Sequence, residues 1–203
     1  MHRVAGSFSW PFRAPPTRWL LGSVCVLLLP LLFVPLLGYA IAATRAAERN
    51  EEPPAWMISW RLLVDGFWAA LVVGLTVLPF ALVLPWLAHA LHGGLIGTAV
   101  AVFVLLFFWG LLALLFLPHA TTAFAATGRP ADMFNFAASA RRVRDDFATW
   151  NVVVAGIVTG WAIGLACAAL LCVGVVPGIF YAILVSAHAT AALDRKSPHL
   201  PAR

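Results

Sequence analysis

Few side chains in this chain of 203 residues could do chemistry, and they lie far apart. Arg61 and Asp65 stand four apart where a charged stretch gives way to an apolar run. An ionisable residue within a membrane span is a functional candidate by default. A pair at that spacing on one helix face can equally just neutralise both charges. His119 and His188 fall about seven to ten residues inside apolar runs, at similar depths for a rise of 1.5 Å per residue. Imidazole titrates near neutrality, so the two could relay a proton or line a polar track near Asp65. Each could as well satisfy a neighbouring carbonyl.

The remaining candidates are weaker. His89 and His92, three apart, offer two nitrogens, but a structural metal site wants four ligands and no cysteine or carboxylate is near in sequence. Cys25, Cys167 and Cys172 sit inside apolar runs and read as small buried hydrophobes, with neither a disulfide framework nor a zinc spacing. No nucleophile stands beside a base and no catalytic carboxylate pair is found. We therefore expect no enzyme, no cofactor and no metal. Gly156, Gly160 and Gly164 recur every fourth residue, a smooth face on which another helix can settle, inside one bundle or between chains.

The elements that must position these residues are hydrophobic. Apolar residues make up 63% of the chain and charged residues 10%, too little charge to cover a water-soluble domain of this size. A span needs roughly 20 apolar residues to cross a core of about 30 Å. In lipid only helices and closed barrels satisfy their backbone. Barrel strands alternate, whereas Ala99 to Leu117 is apolar on every face, so the spans are helices. Five segments qualify, at about 19–43, 62–90, 95–126, 151–171 and 177–193, after a polar lead 1–18 and before a tail 195–203. Between the third and fourth, residues 131–149 follow helical spacing. Met133, Phe136, Ala137, Ala140, Val143 and Phe147 share one face and Asn135, Ser139, Arg142 and Asp146 the other. Such a helix lies in the membrane interface, with Arg141, Arg142 and Arg144 on lipid headgroups, or packs against the spans.

Positive charge sets the expected topology. The 44–61 loop holds three arginines, the 127–149 loop four, and the tail three basic residues, while 89–94 and 172–176 hold none. The first three regions are then cytoplasmic. The segment 19–43, broken by Pro30 and Pro35, either crosses, leaving Arg3, Arg13 and Arg18 outside, or re-enters, keeping all 13 basic residues inside. The charge rule favours re-entry. A basic lead before Ala40-Ile41-Ala42 has the outline of a signal peptide, but the apolar run is too long for one. Tryptophans near segment ends (Trp10, Trp19, Trp56, Trp60, Trp150) read as interface anchors.

The order of several motifs is that of a known family. Trp10-Pro11-Phe12-Arg13, Leu20-Leu21-Gly22, Pro30, Gly38-Tyr39 and Leu62-Leu63-Val64-Asp65-Gly66 resemble a family of small prokaryotic membrane proteins catalogued as a domain of unknown function. Gly128-Arg129, Phe134-Asn135-Phe136 and the ending from Cys172 through Gly174, Pro177 and Tyr181 to His188 are similar to it too. After that histidine, Ala189 to Leu193 departs from the family's pattern, which places a Gln or Tyr there. The resemblance implies a membrane protein in prokaryotes, hence the cell (inner) membrane, and no activity.

The sequence thus predicts an all-α transmembrane helix bundle with four spans, one proline-broken N-terminal segment and one amphipathic helix. The expected role is a non-enzymatic membrane component, acting through contacts with the lipid bilayer, anionic lipid included, or with a partner membrane protein or second copy. The alternative is a small transporter or permease subunit with a polar track at Asp65, His119 and His188. Nucleic acid is not an expected partner, because the net charge of +5 flanks apolar spans.

Overall fold

The computed structural model describes residues 2–170 and 174–193. Cys172, the start of the short connection 172–176, and the tail 195–203 lie outside them. The described chain is all-α. It runs α1 (His2–Gly6), a 3-10 turn (Trp10–Arg13), α2 (Pro16–Leu27), α3 (Leu29–Glu48), α4 (Trp60–Ala90) and α5 (Gly94–Thr127). Then follow α6 (Pro130–Met133), α7 (Phe136–Asp145), α8 (Phe147–Leu170) and α9 (Val175–Ala191). Four helices are long and apolar enough to cross a membrane, with spans Leu31–Glu48, Trp60–Ala90, Gly94–Thr127 and Phe147–Cys167.

The last apolar helix, α9, has only 17 residues, about 26 Å of rise. It is nonetheless the axis of the bundle. Phe180, Ala182, Leu184, Val185, Ala189 and Ala191 are almost wholly buried, as befits a helix apolar on all sides. Its closest neighbour is α8, and the expected glycine face is what brings them together. A Cβ on Gly160 would strike the Val185 side chain, and one on Gly164 would overlap the Gly178 carbonyl. Gly156 faces Val4 and Ala189. The face is consumed inside the bundle and offers nothing to a second chain.

The N-terminal apolar segment is two helices. The chain breaks at Leu28 and again at Leu32 (φ −106°, ψ 18°), with a proline in the first turn of α3 where its fixed φ suits a helix start. The lead is not a loose polar extension. Trp10 is buried and its Nε1 donates to the Glu51 carbonyl at 3.0 Å. Arg18 reaches the Pro53 carbonyl and the Glu52 carboxylate, and Val4 packs with Val153, Ile157 and Ala189. The lead and the 49–59 loop are therefore joined, so α2 and α3 form a hairpin that starts and ends at one end of the bundle.

That hairpin sorts the charge. Residues 19–44, 66–128 and 147–193 contain no Asp, Glu, Lys or Arg. The ends of α3, α4 and α5 meet at Arg45, Asp65 and Ala125, and the lead meets the last turn of α9 through Ser7 and His188. Every described charged side chain consequently lies at this end, and the α4–α5 turn at the other carries only His89 and His92.

Two further expectations change. The stretch 131–149 is not one helix: Asn135 starts α7 by accepting the Ala138 N–H at 3.0 Å, and Asp146 starts α8 by accepting that of Thr149. With the period broken, Ser139 turns inward beside Val143 while Ala137 and Ala140 are exposed. The helix packs on α5, Phe136 meeting Phe116 edge-on at 5.6 Å. The tryptophans are mostly internal. Trp56 stacks on Tyr39 at 4.0 Å, and Trp19 and Trp150 donate to the Pro11 and Leu114 carbonyls. Only Trp60 and Trp86, each 80% exposed, fit interface anchors. They stand about 39 Å apart along α4, close to the bilayer's thickness with its interfacial layers.

The glycine packing sets a test. Gly164→Ala should cost about 1–3 kcal/mol of stability, because overpacking forces backbone apart. Gly74→Ala, where a Cβ meets nothing within 4 Å, should be neutral or gain up to about 1 kcal/mol. Thermal unfolding of the two variants in one detergent checks this; equal melting points would contradict the α8–α9 contact.

Candidate functional site

Two polar features interrupt the apolar bundle, both at its charged end. The first is built on Arg45, in the last turn of α3 and not in a loop. Its Nη1 lies 2.5 Å from Asp65 Oδ2 in the second turn of α4, and the two side chains are only 12% and 9% exposed. Its Nε donates to the Ala125 carbonyl at 2.9 Å, one of the last four carbonyls of α5 that have no partner within the helix. The guanidinium also lies over the Phe124 ring, 5.8 Å from its centroid. One side chain thus joins three helices and places a cation at the negative end of the α5 dipole. Its Nη2 is buried without a hydrogen-bond partner.

The approach that makes this pair possible comes from two glycines. A Cβ on Gly66 would overlap the Val34 carbonyl, and one on Gly38 the Leu62 carbonyl. The α3 and α4 backbones meet there, one residue from Asp65. The expected Arg61–Asp65 pair does not form: Arg61 points outward, since the carboxylate side of α4 faces α3.

The second feature is a cavity of 280 Å³ where the end of α5 meets α6 and α7. His119, Arg129, Asp132, Asn135, Ser139 and Arg142 supply its polar lining. His119 is 6% exposed and its Nε2 is buried without a hydrogen-bond partner. Asp132 is held by the Thr127 hydroxyl at 2.6 Å. Arg129 and Arg142 make no ion pair among the described residues. Gly128 lets the chain turn into this corner: it caps α5 at φ +69°, a conformation a Cβ opposes.

The residues of the expected polar track have different partners. Asp65 is bound to Arg45, and His119 opens into the cavity. His188 Nδ1 lies 2.8 Å from Ser7 Oγ, with its ring 5.1 Å from that of Trp10. All three arginines expected on headgroups, Arg141, Arg142 and Arg144, are exposed, Arg144 lying 3.8 Å from its neighbour Asp145. Arg142 alone of them also lines the cavity. His89 and His92 are exposed at the far turn.

The prolines of α4 and α5 do not open those helices. Both α4 and α5 run unbroken through Pro79, Pro85 and Pro118. Pro118 lacks the N–H that would bond the Leu114 carbonyl, and the Trp150 indole supplies that donor from α8 at 3.2 Å.

An all-α bundle with four helices apolar enough to cross a membrane and its charge gathered at one end has the build of a polytopic membrane protein. The chain belongs to the family described as proteins of unknown function, DUF4013, whose model matches residues 21–185. No curated protein and no solved structure matches it.

Asp65→Ala should destabilise the fold by about 3–5 kcal/mol, because it strands a buried guanidinium. Arg61→Ala should stay within about 0.5 kcal/mol. Joint replacement, Arg45→Met with Asp65→Leu, should recover much of the loss. Chemical denaturation in mixed micelles measures all three, and equal losses at Asp65 and Arg61 would refute the assignment.

Proposed function

We propose that this protein is a non-enzymatic component of the prokaryotic cell membrane, its charged end cytoplasmic, that acts through the α4–α5 hairpin on another membrane protein. The supporting observation is how little of that hairpin the bundle covers. Of the apolar stretches of α4 and α5 only 11% and 6% are buried, against 28% for α8 and 44% for Leu31–Glu48. All buried residues of α4 lie between Leu62 and Val72, and none in α5 between Ala101 and Pro118. The hairpin rises about 46–51 Å while α8 rises about 36 Å and α9 about 26 Å, so its far end projects beyond them.

The transporter reading has one observation in its favour, a 280 Å³ crevice among α3, α5, α8 and α9 bordered by Thr44, Thr121, Ser186 and Thr190. Ser186 Oγ is buried without a partner. The remaining lining is largely apolar, and the Thr44 and Thr121 hydroxyls donate to their own helices. The neutralised Asp65 and the unbroken α4 and α5 also weigh against a solute path.

A photo-crosslinking residue at Leu82 or Phe103, which are 65% and 71% exposed, should yield a protein adduct of discrete mass in native membranes. The same residue at Leu165 on α8 should yield lipid adducts alone. Lipid adducts alone at both hairpin positions would end the proposal.

A further inference from the structure

The cavity at the end of α5 is a built polar site that the hairpin reading leaves unused. Its floor is the His119 imidazole, buried to 6% exposure with an Nε2 that has no partner. Its walls are lined by Arg129 and Arg142, both exposed at the rim, by Asn135 and by the buried Ser139. The one carboxylate present, Asp132, is engaged by Thr127, whose hydroxyl also accepts the Arg129 N–H at 3.1 Å. With imidazole neutral, the lining carries two cations and one anion, and the Asp146 carboxylate is close enough to act on His119 as well. These groups together present more donors than a planar carboxylate can use, and they suit the several acceptor oxygens of a tetrahedral oxyanion.

Position narrows the ligand. His119 lies eight residues before the last residue of α5, about 12 Å along the helix, and α6 and α7 roof the cavity at the charged end. Arg129 and Arg142 stand at that charged end, the level at which a bilayer carries its headgroups, with His119 deeper in the cavity. Arginines on an amphipathic helix at that level are the usual partners of anionic headgroups.

We infer that this cavity binds the phosphate group of an anionic phospholipid, with Arg129 and Arg142 as its charged ligands and His119 Nε2 donating from the floor. The binding needs nothing from the α4–α5 surface, so the two readings stand or fall separately.

The test is native mass spectrometry of the full chain in detergent, titrated with phosphatidylglycerol, with phosphatidylcholine as the neutral comparison and inorganic phosphate as a separate arm. Phosphatidylglycerol should be retained in preference to phosphatidylcholine. Arg142→Gln, Arg129→Gln and His119→Gln should each weaken retention, the arginine variants by roughly tenfold or more. Arg141→Gln and Arg144→Gln, equally exposed but outside the cavity, should change it less than about twofold, a charge effect at the surface. If Arg142→Gln lowers the melting temperature, Arg129→Gln carries the comparison. Displacement of the lipid by millimolar inorganic phosphate, with the same variant pattern, would keep the anion site and assign it to the free ion. Equal losses across all four arginine variants, or no preference for either anion over phosphatidylcholine, would overturn the inference.

Discussion

The buried pair of Arg45 and Asp65 is the constraint on which this fold turns. Removing two charges from water costs several kcal/mol each, and only close geometry with further hydrogen bonds repays it. The pair therefore dictates that α3 and α4 approach at Gly38 and Gly66, and that α5 end beside them so that Ala125 can accept the Nε donor of the guanidinium. Once those three helix ends are fixed, the charged loops that leave them share one end. The lead is drawn to the same end by Trp10 and Arg18.

With charge confined to one end, length decides what the rest of the surface does. The α4–α5 pair is longer than α8 and α9, and its ends cannot slide because Arg45 holds them. The excess must project at the far end; α4 and α5 hold each other from mid-length, where Trp109 donates to Thr76 at 3.2 Å, to the turn, where Gly97 lies against the Leu91 carbonyl. An apolar surface of that kind is stable in lipid and equally able to receive another apolar helix.

The candidate residues illustrate how far sequence spacing reaches. Asp65 stands out as an intramembrane charge, but its partner is twenty residues upstream in what reads as a loop. The missed signal is local: Ile41, Arg45 and Glu48 continue the helical register of α3. His119 and Arg142 are 23 residues apart on separate helices, and only the left-handed turn at Gly128 folds α6 and α7 back over the histidine. The wheel that put Ser139 on the outer face assumed an unbroken period through Asn135, a residue whose side chain competes for backbone N–H groups and starts a new helix.

Sequence by itself determined the class of this protein: apolar runs without charge can satisfy their backbone in lipid only as helices, and the charge between them marks where those helices end. It also determined the family and the smooth glycine face. Tertiary structure decided which surfaces are used. The Gly156, Gly160 and Gly164 face could have met another chain, but α9 fills it. The N-terminal segment had two courses open by charge alone, and the hydrogen bonds from Trp10 and Arg18 to the 49–59 loop bring its two ends together. Those outcomes rest on which distant groups come within hydrogen-bond reach, and hydropathy and helical period carry no information about that distance.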